Sequence, residues 1–187
     1  MNKVLVVIDV QNDFVDGSLG TPEAQAIIPN VVKKIEEYIN NDWDIYCTRD
    51  THSESYLNTP EGIKLPVKHC VYKTHGWKLN KYIENAFNDP FNCVYVPVYN
   101  KRTFGCDELA KELLRTNEDD EAIDEIELVG LCTDVCVISN ALLLKNKFYD
   151  KFTTISVDAS CCAGTTPERH KAALEVMKSC QIEVRNE

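Results

Sequence analysis

Apolar residues along this chain follow two alternating periods. Short, nearly continuous apolar runs over Val4–Val10, Asp44–Thr48, Asn92–Val98, Ile126–Val129 and Thr153–Val157 read as strands, and a last short run, Ile182–Val184, reads as an edge strand. The first is almost unbroken Val, Leu and Ile, as a strand buried on both faces requires. Between the runs the spacing changes. Over Pro29–Asn40 the residues Val31, Val32, Ile35, Tyr38 and Ile39 fall on one helical face, with Pro29 in the first turn. Helices are also expected over Lys78–Phe87, Asp107–Arg115 (acidic first turn), Val135–Lys145 and Pro167–Ser179, the last with Thr166 as N-cap and Pro167 at the first helical position. This alternation predicts an α/β fold with three layers, α/β/α, around a mostly parallel central sheet. Repeats, low-complexity tracts and interdomain linkers are not evident, so residues 1–187 read as a single domain with room for a sizeable core.

In such folds ligands bind beyond the carboxyl ends of the strands. The polar residues there form a suggestive set. The first strand carries Asp9 near its end, the second runs into Arg49-Asp50-Thr51-His52, and the third leads to Asn100-Lys101. The fourth is followed by Gly130, read as a strand breaker, and then by Leu131-Cys132-Thr133-Asp134-Val135-Cys136-Val137. Cys136 is thus expected in the first turn of a helix, where free backbone N–H groups and the helix dipole favour thiolate. A cysteine so placed is a candidate nucleophile. Asp9 can serve as its base, and Lys101 can favour the thiolate and hold the acid. Taken singly, each residue also has an ordinary explanation: a turn carboxylate, a loop lysine, a buried thiol.

A second constellation is Asp50-x-His52 with His69, a carboxylate and two imidazoles suited to zinc or iron. Glu54 and Glu61 lie between the histidines and offer further oxygen donors. Capping and loop hydrogen bonds are the competing explanation for the Asp-x-His pair. His75 reads as a loop residue and His170 as a helix-surface residue.

Charge and composition narrow the function. A net charge of −10 argues against nucleic acid, and Glu118-Asp119-Asp120-Glu121 reads as a solvated acidic loop. No apolar run reaches the roughly 18 residues of a membrane span, and the N-terminus enters a strand-like run with no small-residue cleavage site, so the expected location is the cytoplasm. The nine cysteines, among them Cys47, Cys70 and Cys93, are scattered among apolar runs, which favours reduced, mostly buried thiols. Cys161-Cys162 read as structural. Cys132 and Cys136 form a CxxxC pair that a redox or binding protein would use; this is the reading from a different functional class.

The same segments resemble the isochorismatase-like cysteine hydrolases, and within them the nicotinamidases, over nearly the whole chain. Val6-Val7-Ile8-Asp9-Val10-Gln11-Asn12-Asp13-Phe14 is similar to the family's opening strand and loop, with Asp9 as its catalytic acid. Thr48–His52 and Leu65–Cys70 resemble the nicotinamidase metal segments, Lys101 with Thr103-Phe104 the catalytic lysine loop, Gly130–Val137 the nucleophile turn, and Val157-Asp158-Ala159 the strand end that follows. The resemblance implies a metal-dependent amidohydrolase that converts nicotinamide to nicotinate and ammonia in NAD salvage through a Cys136 thioester. The backbone N–H groups of Cys132 and Cys136 are the implied oxyanion donors, and a cis peptide is implied at Leu131–Cys132. One divalent metal ion is implied at Asp50, His52 and His69, with zinc first and iron or manganese as alternatives; Glu61, in Thr59-Pro60-Glu61-Gly62, resembles a fourth ligand used by some relatives. Phe14 matches one aromatic wall of the ring pocket. Many nicotinamidases carry an aromatic residue shortly before the second metal histidine, where this chain has Leu65-Pro66-Val67-Lys68, so the other wall falls to Leu65, Trp77 or Phe104. The loop after Lys101 is short by the same comparison. A homo-oligomer is implied as well. The alternative within the superfamily is a cysteine amidohydrolase acting on a carbamoyl or ureido compound.

Overall fold

In the computed structural model, which describes residues 1–88, 94–119 and 122–187, the apolar runs assemble into a six-stranded sheet of order β3-β2-β1-β4-β5-β6. Every strand pairing is parallel. The strands are β1 Lys3–Ile8, β2 Asp44–Asp50, β3 Val98–Lys101, β4 Glu125–Leu131, β5 Thr154–Ala163 and β6 Glu183–Arg185. The helices are α1 Asn12–Val15, α2 Pro22–Ala26, α3 Ile28–Asn40, α4 Pro60–Lys64, α5 Lys81–Phe87, α6 Asp107–Asp119, α7 Ile138–Lys147 and α8 Pro167–Ser179.

The apolar strand residues divide by parity, as alternating side chains must. Leu5, Val7 and Val129 face α3 and α5 through Val31, Ile35 and Ile83. Val4, Val6, Ile8, Ile126 and Leu128 face α6, α7 and α8 through Leu109, Leu113, Ala141, Leu174 and Met177. The three layers follow from that parity. The Thr166 side chain caps α8 by accepting from Arg169 N at 3.2 Å, as its sequence signature requires.

Strand order reverses between β1 and β4: the chain crosses from β1 out to β2 and β3, then returns to β1's other side. In open α/β sheets such a switch point opens a crevice at the strand carboxyl ends. Asp9 lies just past β1 and Cys132–Cys136 just past β4, so both enter the same crevice.

Several expectations change. Gly130 is inside β4, not a breaker. Its φ is +120°, and a Cβ there would lie 2.1 Å from the Ile8 carbonyl oxygen, so only glycine allows β1 and β4 to close. Of the expected strand over Asn92–Val98, positions 92 and 93 lie outside the described residues. Val94–Pro97 carry no regular structure, and β3 starts at Val98. Pro97 explains the boundary: its carbonyl accepts from Cys47 N at 2.9 Å, but it has no N–H for the ladder. β5 continues through Val157-Asp158-Ala159 instead of ending there. Asp158 is tolerated in mid-strand because Lys34 Nζ at 3.0 Å, Ser160 Oγ at 2.7 Å and Asn186 Nδ2 at 2.9 Å surround its carboxylate. α6 takes in Glu118 and Asp119 of the expected acidic loop; residues 120 and 121 lie outside the described residues. Every cysteine among the described residues is a free thiol, and of these Cys180 is the exposed one. Among the described residues no helix is long and apolar enough to cross a membrane.

Gly130→Ala should therefore destabilise the protein by more than about 1 kcal/mol, lowering the thermal midpoint by at least about 2–4 °C. A midpoint equal to wild type in a thermal melt would contradict the close β1–β4 approach.

Candidate active site and metal centre

The ends of β1, β2, β3 and β4 each deliver a group to the crevice. Asp9 follows β1 with φ 48°, is fully buried, and accepts from Thr48 Oγ1 at 2.7 Å. Lys101 ends β3, and its Nζ lies 2.5 Å from Asp9 Oδ2, 3.3 Å from Cys136 Sγ and 3.9 Å from Asp50 Oδ1. One buried ammonium thus ties the ends of β1, β2 and β3 to the turn after β4.

That turn differs from the expected helix start. Thr133–Val137 form a single wide π-type turn, with Val137 N donating to Cys132 O at 3.1 Å, and α7 begins only at Ile138. Cys136 therefore sits before the α-helix. The Leu131–Cys132 peptide is cis, as the resemblance implied. Thr133 Oγ1 lies 2.8 Å from His170 Nδ1, and the Asp134 carboxylate accepts from Thr165 N at 2.7 Å and Thr165 Oγ1 at 2.5 Å, so α8 and the segment before it brace the turn. His170 is consequently half-buried and engaged, not a free surface residue.

The electrostatics of the set are those of a dry pocket. Burial raises the Cys136 thiol well above its ordinary value and the Asp9 carboxylate raises it further, while Lys101 opposes both. Burial and the neighbouring carboxylate thus oppose the thiolate that a helix start and Lys101 favour. Burial also raises Asp9, against the pull of Lys101. Lys101 would be lowered by burial, but the Asp9 and Asp50 carboxylates overcome this and raise it.

Beside this group lie Asp50, His52 and His69, whose ligand atoms are all within 4.8 Å of one another. His52 Nε2 and His69 Nε2 are 2.8 and 3.4 Å from Asp50 Oδ2. His69 Nδ1 is 2.8 Å from Val67 O; a carbonyl only accepts, so Nδ1 carries the proton and Nε2 presents its lone pair to the cluster. His52 Nε2 is buried and, although 2.8 Å from Asp50 Oδ2, makes no well-aligned hydrogen bond among the described residues. An orphaned imidazole nitrogen, a second oriented one and an ionised carboxylate are a donor set that fits a divalent metal. Burial disfavours the charged form of Asp50, yet the two imidazoles and Lys101 hold it below the usual carboxylate range. Glu61 Oε1 is 3.7 Å from His52 Nε2, within reach of the same place. Glu54 pairs with Lys68 at 3.2 Å on the surface and does not join.

A cavity of about 730 Å³ opens over both groups, lined by Phe14, Leu65, Phe104, Cys132 and Cys136 among others, with Asp50, Glu61 and His69 at its side. The Phe14 ring is 5.5 Å from that of His69. Leu65 and Phe104 thus reach the cavity and Trp77 does not. Trp77 instead lies under the Arg49 guanidinium at 3.8 Å and donates from Nε1 to Thr51 Oγ1 at 2.9 Å. His75 is an exposed loop residue as expected.

Sequence reasoning missed Tyr56, whose buried ring packs 4.5 and 4.8 Å from the rings of His52 and His69; no motif marks it. It also missed the side chains of Gln11 and Asp13, which hold the ligand segments. Their signal was available: polar residues at every second position, Asp9, Gln11 and Asp13, straight after a buried apolar strand.

A family model for the isochorismatase domain matches residues 3–186. The chain belongs to the isochorismatase family. Among its relatives, the nicotinamidase/pyrazinamidase of Mycobacterium tuberculosis is 27% identical over 192 residues, covering 97% of each chain. The solved nicotinamidase/pyrazinamidase of Bacillus subtilis superposes with a TM-score of 0.82 at 27% identity over 100% of both chains. The pyrazinamidase of Pyrococcus horikoshii, solved in complex with zinc, gives 0.74 at 26% identity, again over 100% of both. The strand order, the Thr133–Val137 turn and the Asp50, His52 and His69 cluster thus sit in an isochorismatase-family frame.

Because Lys101 is the cation that opposes the rise of the Cys136 pKa, Lys101→Met should raise that pKa further. Alkylation of Cys136 by iodoacetamide at pH 8 should then slow by at least about tenfold, one pKa unit being a factor of ten in thiolate. An unchanged rate, read by mass spectrometry of the Cys136 peptide, would remove Lys101 from the thiol's environment.

Proposed function

We propose that this protein is a metal-dependent nicotinamidase, a single-domain amidohydrolase that converts nicotinamide to nicotinate and ammonia. The observation that supports the reading is the Lys101 ammonium set between Asp9, Cys136 and Asp50, beside a cavity lined by Cys136, Asp50 and His69. The names of the M. tuberculosis and B. subtilis relatives support the substrate.

Asp9 accepts the proton of Cys136 Sγ as the sulfur attacks the carboxamide carbon. The carbonyl π electrons move to oxygen, where the backbone N–H groups of Cys132 and Cys136 stabilise the negative charge. On collapse the C–N bond breaks, the Asp9 proton passes to nitrogen, and ammonia leaves behind a Cys136 thioester. Asp9, again a carboxylate, takes a proton from water as its oxygen adds to the thioester; the C–S bond breaks, the Asp9 proton returns to sulfur, and the nicotinic acid formed loses its own proton to solvent and departs as nicotinate. Lys101 stays charged throughout and holds Asp9 in place. Phe14, Leu65 and Phe104 line the cavity and offer apolar walls to an aromatic substrate. Asp50, His52 and His69, with Glu61 as a further oxygen donor, would hold a divalent ion, which would supply Lewis-acid binding for the pyridine nitrogen. Zinc is the ion proposed, supported by the donor set and by the zinc complex of the P. horikoshii relative. On the family resemblance, the enzyme works as a homo-oligomer.

Purified protein should release ammonia from nicotinamide, and chelation should abolish the release, with about one metal per chain before treatment. Cys136→Ala should eliminate turnover, and Asp9→Ala should lower kcat by about 10²–10⁴-fold. If nicotinamide yields no ammonia while Cys136 still reacts with an alkylating agent, the substrate assignment fails and a carbamoyl or ureido amide takes its place. If Asp9→Ala keeps full turnover, the mechanism fails.

A further inference from the structure

The metal ligands sit where the sheet has run out of partners. β1 pairs with β2 only as far as Ile8 and Thr48, and at Asp9 the chain turns away through a left-handed φ of 48°. Asp50, two residues further along β2, faces that side with its amide and carbonyl in the buried interior, where unpaired main-chain groups are costly. The Gln11 side chain takes the place of the missing strand. Its Oε1 accepts from Asp50 N at 2.7 Å, and its Nε2 donates to Asp50 O at 2.9 Å and to Trp77 O at 2.8 Å. Gln11 is itself fully buried and spends its amide on these contacts.

Two residues on, Asp13 serves the other ligand arm. Its Oδ2 accepts from Cys70 N at 2.7 Å, next to His69, where Cys70 has a left-handed φ of 45°. Cys70 O in turn accepts from His52 N at 2.9 Å, and Tyr72 N donates to His52 O at 2.9 Å. One short segment, 11–13, thus holds Asp50 directly, His69 through Cys70, and His52 through the pairing of the two arms.

We infer that Gln11 and Asp13 are positioning residues of the metal centre, which set its affinity for the ion without touching it. The inference rests on the metal-site reading above. Outer-shell partners of this kind are worth about 10–100-fold in metal affinity. The test is zinc titration of metal-stripped full-length protein, wild type and variants, against a chromophoric chelator, alongside the thermal midpoint of each metal-free form. Gln11→Ala and Asp13→Ala should each weaken zinc binding by about 10–100-fold and raise KM for nicotinamide more than they lower kcat. Asp13→Asn, which keeps an oxygen for Cys70 N, should restore most of the affinity. Thr166→Ala removes a helix cap on α8; it should lower the midpoint without changing zinc affinity, which separates positioning from general destabilisation. Should Gln11→Ala not fold, the two Asp13 variants decide the question alone. Zinc affinity equal in wild type, Gln11→Ala and Asp13→Ala overturns the inference and leaves the metal site standing. A wild-type protein that binds no zinc overturns the metal reading itself and this inference with it.

Discussion

The structure depends on one buried cation. The Lys101 ammonium is within 4 Å of Asp9, Asp50 and Cys136, and its side chain is 2% exposed. Without it, two carboxylates and a sulfur that must become negative would share a space with little water, and burying unpaired charge there costs several kcal/mol per ion. With it, the group is balanced only if all strand ends arrive together. The strand order supplies that condition, because β1 lies between β2 and β4 and β3 lies beyond β2, so the Lys101 side chain must reach back across β2 to meet Asp9.

The same arrangement explains how a nucleophile and a metal cluster occupy adjacent ground. Asp50 is shared: Oδ1 faces Lys101, and Oδ2 faces the two histidines. Its charge belongs to both halves of the site. Burial and the Asp9 carboxylate both oppose ionisation of the Cys136 thiol, and Lys101 opposes them. A permanently ionised thiolate would add a third negative charge to the one ammonium.

Much of this was legible in the sequence, and the parts that were not have definite physical causes. β1, β2, α3 and α8 carry apolar periods and cap residues strong enough to fix them within a few positions, and the strand-end rule alone gathers Asp9, Asp50, Lys101 and Cys136. β3 was misplaced because Val94 and Val96 look strand-like while Pro97 decides where the ladder can start. Gly130 reads as a breaker by composition, but its role depends on the Ile8 carbonyl, more than a hundred residues away. The wide turn at Thr133–Val137 has the same local apolar pattern as a helix start, and hydrogen-bond span cannot be seen in periodicity. Trp77 was a reasonable wall for an aromatic pocket, yet Arg49 and Thr51 satisfy its face and its N–H elsewhere. His170 fits the polar face of α8 until Thr133 is placed beside it.

What sequence patterns capture least well is the accounting of main-chain hydrogen bonds where a sheet ends. A parallel strand that outruns its neighbour leaves an amide and a carbonyl facing nothing, and a site built at strand ends multiplies such positions. Here side chains fill them: Gln11 completes the ladder for Asp50, Asp13 serves Cys70, and Asp134 serves Thr165 on the far side of the crevice. None of these residues need touch a substrate, yet each fixes the backbone from which a reactive or ligating side chain projects. The polar residues just past β1 therefore divide their work. Asp9 faces the Lys101 ammonium, while Gln11 and Asp13 face the backbone of Asp50 and Cys70, because the chain leaves β1 through a single left-handed residue at the point where the neighbouring strand continues.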